Sequence, residues 1–134
     1  MTTLTITREI GDLKRSLGKD LLIIGHHYQD DRIIQHVDFS GDSLELARKS
    51  AASSARHIVF CGVHFMAESA AILAGAGQRI YLPEMGAACV MANTAPGGLV
   101  DAALKALHGH GRKVTPLTYV NSSLAVKAVC GRYN

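Results

Sequence analysis

Apolar residues fall along this chain in two alternating kinds of run. Ile6, Ile10, Leu13 and Leu17 recur at helical spacing with Arg8, Lys14 and Arg15 between them, and Gly18 follows. That pattern predicts an amphipathic helix closed at the glycine. Leu21-Leu22-Ile23-Ile24 shows no polar alternation and reads as a strand buried on both faces, the habit of a parallel sheet covered by helices. Ile58-Val59-Phe60-Cys61 repeats it, and Arg79-Ile80-Tyr81-Leu82 is a shorter strand stopped by Pro83. Residues 114–120 read as a fourth strand, sent to a sheet edge because Pro116 lacks an N–H donor. Helical runs lie between them. Asp30-Asp31 starts a short one with Ile33, Ile34 and Val37 as its buried side, since carboxylates suit the positive end of a helix. Leu44, Ala47, Ala51 and Ala55 make the next, residues 65–74 another, and Gly75-Ala76-Gly77 turns the chain. Val100, Ala103, Leu104 and Leu107 make a further helix, broken at Gly109-His110-Gly111, and a last one runs from near Ser122 through Val126 towards Val129. The alternation predicts α/β class: a three-layer αβα domain around a four-stranded parallel sheet, with residues 1–134 as one domain.

The strand ends carry the chemistry. The first runs into Gly25 and then His26-His27-Tyr28-Gln29, side chains able to exchange protons or donate hydrogen bonds. In open α/β sheets ligands sit beyond the carboxyl ends of the strands, so this cluster is a site candidate. Phe39-Ser40-Gly41-Asp42-Ser43 precedes a helix, with Asp42 or Ser43 as its N-cap. Gly41 also leaves room for a carboxylate or phosphate at that helix end. The second strand ends in Gly62-Val63-His64, with Glu68 four residues on, a spacing that reads as a surface pair on one helical face. Cys61, inside an apolar run, reads as a core thiol. Residues 83–98 are irregular and rich in small side chains, and Cys89 lies among them as a nucleophile, a metal ligand or a buried thiol. Thr118-Tyr119-Val120-Asn121-Ser122-Ser123 is another polar burst, and His108 and His110 sit on an exposed connector.

Composition narrows the class. The chain is 48% hydrophobic and 19% charged, with a net charge of +3, and no Lys/Arg run is interleaved with aromatics, which argues against nucleic acid. No apolar stretch approaches the roughly 18 residues of a membrane span, and the N-terminal residues lack the pattern of a signal peptide. The odd, widely spaced set of Cys61, Cys89 and Cys130 argues against a disulfide framework and for a cytoplasmic location.

Ile-Gly-His-His-Tyr-Gln (24–29), Asp-Phe-Ser-Gly-Asp-Ser-Leu-Glu-Leu-Ala-Arg (38–48), Val-Phe-Cys-Gly-Val-His-Phe-Met-Ala-Glu (59–68) and Thr-Tyr-Val-Asn-Ser-Ser (118–123) together resemble the N-terminal third of the quinolinate synthase family, in order and spacing. The resemblance implies one of three pseudo-symmetric αβα domains, each giving one Cys to a [4Fe–4S] cluster. It further implies a transferase of NAD biosynthesis that condenses iminoaspartate with dihydroxyacetone phosphate to quinolinate. An L-aspartate oxidase or aspartate dehydrogenase would supply the iminoaspartate. By position, Cys89 matches the first domain's cluster ligand, and His26 and Tyr28 match the acid–base and substrate-contacting pair. Asp42 and Ser43 match a substrate-binding pair at a helix start, and Tyr119 and Asn121 match two further substrate-contacting residues.

The sequence departs from the family in two places. Around the cluster ligand the family shows Gly-Cys-Ser or Gly-Cys-Pro followed by Met/Leu-Ala-Asp, where this chain reads Ala88-Cys89-Val90-Met91-Ala92-Asn93. Cys61 and Cys130 do not match the family's other cluster ligands, so the expectation is a fragment or early-terminated copy, inactive without the other domains. The contrasting expectation is a non-enzymatic α/β module that binds a small anion at its carboxyl edge.

Overall fold

The computed structural model describes residues 2–133. Its sheet has four strands, all parallel, in the order β2-β1-β3-β4: β1 Leu21–His26, β2 Phe39–Gly41, β3 His57–Cys61 and β4 Arg79–Tyr81. The helices are α1 Thr3–Leu17, α2 Asp31–Ile34, α3 Ser43–Ala52, α4 His64–Leu73, α5 Gly97–Gly109 and α6 Leu124–Arg132. The expected α/β class and four-stranded parallel sheet are therefore present.

One strand is not where the sequence placed it. Residues 113–119 form neither helix nor strand, and the fourth place in the sheet belongs to Phe39–Gly41, paired to β1 from Ile24↔Phe39 to His26↔Gly41. The physical reason is twofold. Pro116 can donate nothing to a ladder. A three-residue strand, two of whose residues are Ser40 and Gly41, is too short to leave an alternating pattern.

Strand parity divides the sheet into two unlike faces. Ile24 and Phe60 lie opposite each other in register, as do Leu22 and Ile58. Ile24, Ile58 and Phe60 are fully buried with Leu46 and Ala47 of α3 and Phe65, Met66 and Ala70 of α4. This is the core, and α3 packs closely on α4 over it. On the other face Leu21, Ile23, Val59 and Cys61 line a groove closed by Ile10, Leu13 and Leu17 of α1 and Ile33 of α2. α1 buries none of its residues fully. Its anchor is Lys14, whose Nζ donates to the His36 carbonyl at 2.8 Å and pairs with Asp38 at 2.6 Å. Asp38 in turn accepts from the Ile23 N–H at 2.8 Å, so this ion pair ties α1 to β1.

Two glycines shape the chain on either side of the β1 residues Leu21–Ile24. Gly18 ends α1 at φ 52°, a left-handed conformation that a side chain would strain. Gly25, near the end of β1, has Val37 directly above it: a Cβ there would meet Val37 Cγ1 at 2.7 Å. The residues that follow β1 can therefore fold back tightly over its end.

Candidate active site

In the order β2-β1-β3-β4, successive connections leave β1 in opposite directions, so the switch point lies between the carboxyl ends of β1 and β3. Open parallel sheets leave a crevice at such a point. A cavity of about 340 Å³ occupies it, walled by His26, Tyr28 and Gln29 after β1 and by Val63, Phe65 and Met66 after β3. Cys89 and Asn121 complete the wall. A second cavity of about 400 Å³ adjoins it, between the end of β1 and the start of α3, and takes in His26, Tyr28, Asp42, Ser43, Tyr119 and Asn121. His26, Tyr28 and Asn121 belong to both. All seven residues singled out from the sequence thus line one or both cavities.

The His-His-Tyr segment is a stacked cluster. The His26 and His27 rings lie 4.4 Å apart and nearly parallel, and Tyr28 stands edge-on to them at 4.8 and 4.3 Å. His26 is buried, and its Nδ1 accepts the Tyr28 backbone N–H at 3.3 Å, which leaves the proton of a neutral ring on Nε2. His27 Nδ1 lies 3.0 Å from the Gly41 carbonyl, an acceptor, so its Nδ1 carries the proton. The two histidines are held in opposite tautomers by their neighbours. Tyr28 is 84% exposed and lines both cavities.

Asp42, not Ser43, caps α3: its carboxylate accepts from the N–H groups of Leu44 and Glu45, each at 2.9 Å. Those bonds, the Glu45 one foremost, and the nearby His27 and His26 hold it below the usual carboxylate range. Ser43 is buried at the first position of the helix, beside the cap and on the cavity wall.

Burial chiefly, and then the charge of His27, holds His26 below its ordinary value of 6.5, while Asp42 pulls the other way. Below that ordinary value the unfolded chain takes up a proton that the folded domain resists. Stability therefore falls as pH drops from 6.5 towards the folded value. His26→Gln should flatten the fall of the melting temperature as pH drops below His26's ordinary value of 6.5. An unchanged slope would mean that another group carries the acid sensitivity.

The three cysteines are dispersed. Cys89 is half-buried in the wall of the switch-point cavity, Cys61 faces the groove under α1, and Cys130 is buried in α6. Burial pushes the Cys61 thiol up, as befits an unreactive thiol. No cluster of three or more His, Cys, Asp or Glu side chains suited to a metal ion occurs among the described residues. Cys89 is the one thiol lining the switch-point cavity, and no second thiol lines it.

Comparison with known proteins shows the family. The family model described as quinolinate synthetase A protein matches residues 8–133. The chain belongs to that family. A quinolinate synthase of Lysinibacillus sphaericus is 52% identical over 123 residues, 90% of this chain and 34% of the relative. A Bacillus cereus quinolinate synthase is 46% identical over 134 residues, covering 98% of this chain and 36% of the relative. One from Acidobacterium capsulatum is 42% identical over 130 residues, 95% and 35% respectively. The chain spans about a third of the length of the curated relatives it matches. No helix among the described residues is long and apolar enough to cross a membrane.

Sequence reasoning did not single out Phe65 and Met66, which supply the apolar wall facing Cys89. They begin a helix directly after a strand, the position that signals a crevice residue in this class of sheet. It also read Glu68 as half of a surface pair. His64 does lie 3.6 Å from it, but the Glu68 Oε2 accepts from the Leu124 N–H at 3.0 Å, at the start of α6.

Proposed function

We propose that this chain forms the first of three αβα domains of a cytoplasmic quinolinate synthase. The whole enzyme would condense iminoaspartate with dihydroxyacetone phosphate, releasing phosphate and water, and would receive iminoaspartate from an L-aspartate oxidase or aspartate dehydrogenase. One observation carries the reading: His26, Tyr28 and Asn121 form the common wall of two cavities, one reaching Cys89 and the other Asp42 and Ser43. Such an arrangement sets proton-transferring groups between a thiolate ligand and an anion-binding helix start.

Each residue's part follows from its surroundings. His26, kept neutral with its proton on Nε2, serves as a hydrogen-bond donor to a substrate oxygen and not as the first base. The hydroxyl of Tyr28, an exposed residue lining both cavities, moves the proton in condensation and dehydration. Ser43, relieved of capping by Asp42, donates to a phosphate or carboxylate at the positive end of α3. Tyr119 and Asn121 close the same cavity from the loop before α6 and orient the substrate. Cys89 would hold one corner of a [4Fe–4S] cluster whose other thiolates lie on the remaining domains. Held in this way, the cluster would supply Lewis acidity towards the substrate.

Anaerobic reconstitution tests this. The 134-residue chain alone should retain no stable cluster, since it places one thiolate at the site. Joined to the remaining two-thirds of the Lysinibacillus sphaericus relative, it should bind the full iron and sulfide complement of a [4Fe–4S] centre and form quinolinate. Cys89→Ser should remove both. A full complement unaffected by Cys89→Ser would sink the ligand assignment.

The anion-binding module remains the second reading, favoured by the capped start of α3 beside Ser43. Phosphate binding with no quinolinate formed by the joined protein would decide for it.

A further inference from the structure

We propose that Glu68 is a positioning residue for this site: its carboxylate holds the loop bearing Tyr119 and Asn121 against the cavities. The assignment rests on the site reading given under Proposed function.

The loop has no regular structure to fix its place. Its own hydrogen bonds are internal, from Thr118 Oγ1 to Ser122 Oγ at 3.1 Å and from Ser122 Oγ to the Tyr119 carbonyl at 2.7 Å. They knot the loop without setting its distance from the sheet. Among the described residues, the polar ties from the start of α6 to the body of the domain both end on α4. Leu124 N–H donates to Glu68 Oε2 at 3.0 Å, and Lys127 Nζ donates to Ser69 Oγ at 3.0 Å. The first joins residues 56 apart in sequence and lands three positions after Asn121.

Capping alone does not explain the contact. Ser123 already caps α6, accepting from the Val126 N–H at 3.4 Å. Glu68 therefore adds location, fixing where the helix start sits relative to α4. The same helix sets the opposite flank of the crevice. Its first N–H, from His64, donates to the Ala87 carbonyl at 2.8 Å and so holds the segment leading to Cys89. Phe65 and Met66 lie between these two attachments and wall the cavity. One helix thus sets the separation of Cys89 from Asn121.

Hydrogen exchange on the 134-residue chain reads the loop directly. Glu68→Ala should speed exchange at the amides of residues 119–126 by about tenfold or more and leave β1 and β3 unchanged. Glu68→Gln, whose carbonyl still accepts from Leu124, should restore slow exchange. Glu68→Met, of similar length but with no comparable acceptor, serves if the alanine variant does not fold. Equal acceleration in β1 and β3 would reveal a merely structural role and overturn the proposal, as would unchanged exchange at 119–126. In the joined full-length enzyme, Glu68→Ala should lower kcat/KM about tenfold and add nothing to an Asn121→Ala background. Additive losses overturn the positioning role alone. An Asn121→Ala enzyme with undiminished activity overturns the site reading, and the positioning role with it.

Discussion

Tyr28→Phe in an enzyme of full family length should lower kcat by about a hundredfold to ten-thousandfold, the usual worth of a positioned acid–base group. The change is small in every other respect. Tyr28 is 84% exposed, and its ring touches the His26 and His27 rings edge-on, contacts that phenylalanine keeps. Folding and His26 packing should therefore survive, and the loss should appear in kcat more than in KM, the signature of an interaction made chiefly in the transition state. Steady-state kinetics at matched iron content make the comparison fair. A kcat within about twofold of the unmodified enzyme would remove Tyr28 from the chemistry. The hydroxyl would then count as a solvated group at a strand end.

Phe60→Ala should destabilise the domain by about 3–5 kcal/mol, a large part of the stability of a domain this size. Phe60 is fully buried on the central strand β3, opposite Ile24, with Leu46 of α3 and Phe65 and Met66 of α4 in the same cluster. Deleting the ring forfeits its transfer out of water and leaves a hole between two well-packed layers. The opposite face is padded by the partly open groove beneath α1, so Val59→Ala should cost distinctly less. Urea denaturation separates the cases: the midpoint should fall for Phe60→Ala with the slope unchanged. A loss below about 1 kcal/mol would mean that α3 and α4 close over the gap.

Much of the fold was legible because its strands are continuous apolar runs that end abruptly. Leu21 to Ile24 and Ile58 to Cys61 announced β1 and β3, and Gly18 announced the end of α1. The failure came at β2. Three residues, one of them Gly41, bury too little side chain to leave a period, and they take a strand's place only because β1 offers them a ladder. That is a tertiary decision, invisible locally. The candidate site was legible for a different reason. Polar residues clustered wherever an apolar run stopped, and a parallel sheet collects such stops at one edge. Tyr119 and Asn121 still reach that edge, although they ride on a loop and not a strand. What holds the loop was not legible, since the Glu68–Leu124 contact joins a side chain to a backbone N–H, which carries no sequence signature.

Both outer strands of the sheet, β2 and β4, are three residues long. A border so short exposes few unpaired N–H and C=O groups, which blunts it as a template for another chain. Sheet extension is thus a poor means of joining anything to this domain. If neighbouring domains of a longer enzyme meet it through side chains at its carboxyl edge, Tyr28, Val90, Met91, Leu117 and Tyr119 stand largely exposed to receive them. Assembly and catalysis would then share one surface, and a substitution that loosens the junction would register first as lost turnover.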